Sequence, residues 1–369
     1  MAKIIRTVCG DIAPEKLGFT TAHEHTIADM TQLVTAQQVY KDMVPAEMLL
    51  VKPENMAFLR SGSGLFSDGC STNDDVEWLT KELGIFRDKV GGNAVVDASP
   101  VPLRGDVQLI RQASEATGVH VIVCTGLYYE KGRPQKYLEM DENAIYQMCK
   151  DEVEHGIGDT GIYPGFLKCG MSSLGPGSDI PACEWATLRA LARLSAETGL
   201  SLHVHTAVPM TPEQVISVAK CALDAGVSPD RLNMMHLDQY LRVPYVMDDY
   251  IRNFEQTRTV NIDLQCEILD MGCTIGFDSW DSLVSILPDN NDRLKALVEL
   301  IRRGYAGQIV LGHDVSDKSH SASFGYTGFT GFAVNALPTL RAMSDIVSDA
   351  DIRKLVCDNP ARLLAFNIP

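Results

Sequence analysis

The 369 residues are 45% hydrophobic and carry a formal net charge of −16, with no run of basic residues. That is enough apolar material for one large core, and it argues against nucleic acid or an anionic membrane surface as partner, since both need clustered Lys and Arg. Ten scattered cysteines without a C-x-x-C pair favour free thiols in a reducing compartment over disulfides.

The opening residues hold no apolar segment long enough for a secretory signal, and nowhere do about 18 apolar residues run uninterrupted. A cytoplasmic protein without a membrane span is expected. The first predicted strand runs from Phe19 to His23. About 45 residues, Thr26 to Cys70, then separate it from its helix, long for a βα connection and therefore a lid, a rim or an inserted packing helix. Within it, Ser61-Gly62-Ser63-Gly64 reads as a hinge. The segment from Asp74 to Val90 places Val76, Leu79, Leu83, Phe86 and Val90 on one helical face before Gly91-Gly92.

Further short apolar runs alternate with helical patterns. The predicted strands are Ala94 to Asp97, Val119 to Thr125, Gly165 to Lys168, Leu200 to His205, Leu232 to His236, Val260 to Leu264 and Gln308 to Gly312. Among the helices, Thr211-Pro212-Glu213-Gln214 is a capping box with proline at the first helical position. Eight strands with intervening helices predict an α/β fold, a (β/α)8 TIM barrel with a long β1–α1 insertion over residues 26–70. No linker or repeat divides the chain, so one domain over residues 1–369 is expected.

Chemistry gathers where those strands end. His23 and His25 are two apart, so both imidazoles leave the same face of their strand. Lys168 closes another strand inside a barrel, where an ammonium is costly and repels cations. As a neutral amine it can take up carbon dioxide and become a carbamate, whose two oxygens bridge two cations; the bland alternative is a snorkelling lysine. His205 and His236 end successive strands, with His203 deeper and better suited to a core role. Asp314, after Ile309 to His313, can ligate a metal and accept a proton from water, or simply cap a helix. Glu24 points away from its neighbours and reads as structural. His313 and His320 are candidate proton carriers, while His120 and His155 are expected away from the site.

These motifs resemble those of the phosphotriesterase-like branch of the amidohydrolase superfamily. Gly18 to His25 is similar to its first signature, with Thr21 where a leucine is usual, and Leu167-Lys168-Cys169-Gly170 to its bridging-lysine motif. The opening Ile5 to Ile12 and the closing Asn359 to Phe366 also resemble family features, so the likeness spans nearly the whole chain. The resemblance implies that His23, His25 and Asp314 hold one divalent cation and His205 and His236 another. Carboxylated Lys168 and a hydroxide would bridge them. Zinc is the first expectation for the metal, with manganese, cobalt or iron also compatible with nitrogen and oxygen ligands. Tyr128 matches a family tyrosine beside the metals that could donate to the leaving oxygen, or serve in aromatic packing.

The expected chemistry is hydrolysis of a small molecule. Two cations acidify a bridging water from 15.7 toward roughly 7, and Asp314 takes and returns the proton. The resemblance places specificity in the loops Gln265 to Asn291 and Val315 to Phe332. The stretch Asp314 to Gly328, with Lys318-Ser319-His320 before a glycine-rich run, looks more like the lactonase side of the family, which implies a lactone or related carboxylic ester. Amide or phosphotriester hydrolysis is the alternative within the family, and a metal-containing binding protein without turnover the alternative outside it. A homodimer is the family expectation.

Overall fold

The computed structural model describes residues 3–34, 43–64, 67–242, 247–252, 259–284 and 287–367. Eight strand positions form the barrel wall. They are β1 (Thr20–Glu24), β2 (Ala94–Asp97), β3 (His120–Ile122, resuming at Cys124–Thr125), β4 (Phe166–Met171), β5 (Leu202–Thr206), β6 (Leu232–Met235), β7 (Thr274–Phe277) and β8 (Ile309–Leu311). β1, β2 and the first part of β3 form one parallel ladder, and the second part of β3 through β8 forms the other. The ring closes where the amides of His313 and Asp314 reach the carbonyl of His23, at 3.3 and 3.1 Å. Gly312 permits that approach, because a Cβ there would lie 2.8 Å from the His23 nitrogen. The outcome is the TIM barrel expected from strand count.

Helices cover the outside, and their ends follow local chemistry. Helix α1 (Val76–Val90) starts where the Asp75 carboxylate accepts the amides of Glu77 and Trp78, and it stops at Gly91 with φ 71°. Its buried face, Leu79, Leu83 and Phe86, packs on the barrel, each side chain contributing about 1.5–3 kcal/mol. Helix α2 (Pro212–Asp224) carries the predicted capping box, Thr211 Oγ1 accepting from Gln214 N at 3.3 Å and Gln214 Oε1 from Thr211 N at 2.9 Å. At the barrel floor Lys3–Thr7 pairs with Gly10–Ile12 and Phe366–Asn367, and Arg231 donates to the carbonyls of Leu363 and Ala365. Among the described residues no helix is long and apolar enough to cross a membrane.

The seventh strand is not where the sequence pattern placed it. Val260 makes only an isolated bridge with Arg242, and residues Asp263–Asp270 are helical. Asn261 turns the chain into that helix by accepting the Asp263 amide at 2.7 Å, and Leu264, Ile268 and Leu269 bury its inner face. The true strand, Thr274–Phe277, is four residues long and contains a glycine, so it carries a weak pattern. Cys266, Glu267 and Asp270 therefore lie on a helix before β7, not on the specificity loop after it.

Part of the insertion, residues 35–42 and 65–66, lies outside the described residues. The segment read as a hinge is helical over Leu59–Ser63, and Gly64 packs against the Asp317 carboxylate. Arg60 donates to the carbonyls of Ser319 and Phe324, so the insertion buttresses the loop after β8.

Candidate metal centre

The strands deliver their terminal side chains to one end of the barrel. Register places Lys168 beside His203 and, one pair higher, Gly170 beside His205 and His205 beside Met235. The imidazoles of His23 and His25 have ring centroids 5.5 Å apart, those of His23 and His236 4.7 Å, and those of His205 and His236 4.5 Å. Asp314 closes the group, its Oδ1 lying 3.1 Å from His25 Nε2 and 3.5 Å from His23 Nε2. Its side chain is 28% exposed while the imidazoles beside it are buried, so Asp314 is the face that the group turns to solvent.

Two of these positions are strained. His236 and Asp314 have φ of 63° and 56°, a left-handed backbone costing about 1–3 kcal/mol each for residues with a Cβ. The His236 amide repays part of that cost by donating to Asp278 Oδ1 at 2.9 Å. Such turns carry both side chains inward at the strand ends.

Asp278, one residue past β7, is the anchor that the sequence reading missed. Its Oδ2 lies 2.8 Å from His23 Nδ1 and its Oδ1 2.9 Å from His236 Nδ1, the second outside hydrogen-bond alignment. Burial alone would raise its pKa, but His236 and His23 hold the carboxyl well below the usual range. The same contacts raise the pKa of His236 against the effect of burial. Beneath it a buried pair fixes the backbone: Asp238 accepts the Ser279 amide at 3.1 Å and Arg293 Nε at 2.6 Å. Removing one partner of such a pair costs about 3–5 kcal/mol. Ser99 does for His25 what Asp278 does for His23, with Oγ 2.8 Å from Nδ1.

Lys168 is fully buried, and its Nζ lies 2.7 Å from Met235 Sδ. Among the described residues no carboxylate lies within ion-pairing distance of it. Burial lowers its pKa, with Asp278 and Asp314 opposing. The amine is therefore biased toward the neutral form that reacts with carbon dioxide, and a snorkelling lysine is excluded by its depth. Burial likewise brings His23 down to about 3 and holds His205 well below its ordinary value. Asp314 is held well below the carboxylate range by His23 and His25, which outweigh the cost of burial.

The donor chemistry fits divalent cations. His23, His25 and Asp314 offer ligand atoms within 4.8 Å of one another, as do His23, His236 and Asp278. His236 Nε2 is a buried nitrogen without a hydrogen-bond partner. Imidazole nitrogens, one of them buried without a partner, and ionised carboxylates are what a borderline cation takes. Tyr128 stands over His205, hydroxyl to Nδ1 3.1 Å, and burial keeps the phenol protonated by raising its pKa well above 10.

The remaining histidines are committed elsewhere. His203 lies one layer down, its Nε2 3.1 Å from Ser201 Oγ and its ring against Phe166. His313 Nδ1 is 2.5 Å from Glu24 Oε1 and its Nε2 accepts the Phe332 amide at 3.0 Å, so it ties the loop after β8 to β1. Glu24 also accepts the amides of His313 and Val315, a structural role tying β1 to the loop after β8. His155 is an exposed residue on the helix Glu142–His155, and His120 begins β3 at the opposite end of the barrel.

The phosphotriesterase family profile matches residues 3–364. The chain belongs to the phosphotriesterase family. The likeness runs along nearly the full length of the relatives. The N-acetyltaurine hydrolase of Rattus norvegicus is 25% identical, covering 98% of both chains. A phosphotriesterase-related protein of Nematostella vectensis is also 25% identical over 98% of both. Among solved structures, a resiniferatoxin-binding protein from Rhodobacter sphaeroides superposes with a TM-score of 0.79 at 23% identity, covering 98% of this chain and 94% of that one. A lactonase from Listeria monocytogenes gives 0.76 at 21% identity, with 99% of both covered. These structures share the barrel fold with this family hydrolase.

Proposed function

We propose that this protein is a metal-dependent hydrolase of a carboxylic acyl bond, holding two divalent cations. His23, His25 and Asp314 would hold one, His205 and His236 the other, with a carbamate on Lys168 between them. The observation that carries the reading is Lys168 itself, a fully buried amine biased to neutrality amid four imidazoles and Asp314. When bound, the cations supply Lewis-acid polarisation of the substrate carbonyl and acidify water toward roughly 7.

The protein's own groups do the rest. Asp314, ionised and partly open to solvent, receives the proton of the attacking water and passes it to the leaving group. Tyr128 keeps its hydroxyl proton and presents it beside His205, where it orients an oxygen of substrate or water. Asp278 and Ser99 hold the imidazoles so that little reorganisation accompanies the reaction.

The likeness of the loop after β8 to the lactonase side of the family supports a lactone or carboxylic ester as substrate. A second reading, amide hydrolysis, is favoured by the relatives named N-acetyltaurine hydrolase, which align from end to end. Zinc is the first choice of metal. The test is turnover of lactones, esters, amides and phosphotriesters by protein loaded with zinc, manganese, cobalt or iron. Faster hydrolysis of phosphotriesters than of every acyl substrate would remove the acyl assignment.

A further inference from the structure

Two cavities open beside the centre, and their charges differ from what an anionic substrate needs. One, about 210 Å³, lies between the loops after β7 and β8 and reaches Asp314. The other, about 490 Å³, reaches His205 and Tyr129 on the opposite side. Asp314 hands its proton to the departing atom, so the smaller cavity is the one placed to receive the leaving group.

Besides Asp314, which the proposed centre gives to a cation, that cavity is walled by two carboxylates, Asp281 and Asp317, and no Lys or Arg lines it among the described residues. Asp281 carries a φ of 64° and is held by neutral donors, Asn290 Nδ2 at 2.5 Å and Asn335 Nδ2 at 2.9 Å. Those amides orient its carboxylate without cancelling its charge. Asp317 accepts Ser319 N at 2.8 Å and Ser319 Oγ at 2.5 Å, and lies 3.0 Å from His320 Nδ1. His320, the other histidine of the wall besides His313, is thus engaged by Asp317. His313 is tied between Glu24 and the Phe332 amide. Arg60 reaches the same loop but directs its donors at the carbonyls of Ser319 and Phe324. Trp280 also lines the cavity, and its buried indole N–H has no partner among the described residues. The larger cavity brings no rescue for an anion, since Lys131 there is outnumbered by Glu130 and Asp179.

We propose that the cavity between the loops after β7 and β8 receives the leaving group and selects a neutral or cationic alcohol or amine, rejecting sulfonate, phosphate and carboxylate tails. In this the chain would part from its relatives that act on N-acetyltaurine, whose leaving amine carries a sulfonate. The assignment rests on the acyl-hydrolase reading. Low-dielectric walls strengthen both the attraction and the repulsion.

The test compares acetyl esters and acetamides that share one acyl group and differ only in the tail: trimethylammonium, hydroxyl or sulfonate. With metal-loaded wild type, kcat/KM for the ammonium and hydroxyl tails should exceed that for the sulfonate at least tenfold. The ammonium-to-sulfonate ratio should shrink in high salt and fall tenfold or more in Asp281→Asn and in Asp317→Asn. Equal or better turnover of the sulfonate overturns the proposal, as does a ratio that neither variant changes. Binding of choline, ethylene glycol and 2-hydroxyethanesulfonate to the same protein by NMR separates the two failures. If no ester or amide is cleaved yet choline binds best, the hydrolase reading fails and the cavity assignment stands. If the sulfonate binds as well as choline, the cavity assignment fails whatever the turnover.

Discussion

On the His23 side of the centre each imidazole has its outer nitrogen fixed by a partner, Asp278 for His23 and Ser99 for His25, and Asp278 is itself clamped from below by Asp238 and Arg293 through the neighbouring amides. On the Lys168 side the contacts are different in kind. Lys168 touches a thioether, and His205 meets a phenol whose partner could be exchanged for a substrate oxygen. The first half is a preset bed that neutral and anionic groups hold rigid. In the proposed centre the second would be completed by a carbamate on Lys168, which needs room that Met235 now fills. The difference teaches that metal affinity should be governed by the first half and its dependence on carbon dioxide by the second.

The largest effect is expected from Lys168→Ala. Turnover should fall on the order of 10⁴-fold, with the His205 half losing metal first. Wild type stripped of metal should reload slowly in buffer free of carbon dioxide and quickly with bicarbonate, whereas the variant should show no such dependence by elemental analysis. Equal reloading of the wild type under both conditions would break the contrast between the halves. Next comes Asp314→Asn, with kcat lowered by about 10³-fold and substrate binding retained. An unchanged kcat would remove Asp314 as proton carrier. Asp278→Asn should act on the preset bed instead, weakening metal affinity by about 10–100-fold through His23 and His236. Competition with a chelator measures it, and affinity equal to wild type would show that the bed does not depend on its anchor.

The same contrast separates what could be read in the sequence from what could not. His23, His25, Lys168, His205, His236 and Asp314 are legible because each ends an apolar run, and strand ends at one face of a barrel converge whatever the exact boundaries. Asp278 was hidden by the misplaced seventh strand. Val260 to Leu264 alternates like a strand but is captured by the Asn261 turn, while Gly276 dilutes the real one. A usable signal was there: Gly272 follows a helix, and Thr274 to Phe277 then leads to Asp278, one residue past its strand as His236 is past β6. Ser99 and Glu184 had no such signal, because a serine or a glutamate two elements away gains its role only from tertiary contact.

Glu184 supplies the smallest and most discriminating expectation. It lies on the helix Ala182–Thr198 and ties together the loops after β3 and β4, accepting Glu130 N at 2.7 Å, Ser172 N at 2.6 Å and Ser172 Oγ at 2.8 Å. Those loops carry Tyr128 and follow Lys168, so Glu184 is to the second half what Asp278 is to the first. The electrostatics run oppositely. Asp278 is held ionised by imidazoles, whereas burial pushes Glu184 up to about 7 despite its hydrogen bonds. A carboxyl whose folded pKa exceeds its unfolded value binds more protons in the folded state. Its contribution to stability is therefore complete below the unfolded value near 4.3 and is lost as pH rises through about 7. At most about 4 kcal/mol is at stake. Glu184→Gln keeps one acceptor and removes the ionisation, so its Tm relative to wild type should rise between pH 5 and 8. The metal-loading rate of the Lys168 half should follow the same curve in wild type and flatten in the variant. A Tm difference that stays constant over that range would show that Glu184 does not change protonation there, and that the two halves are held alike.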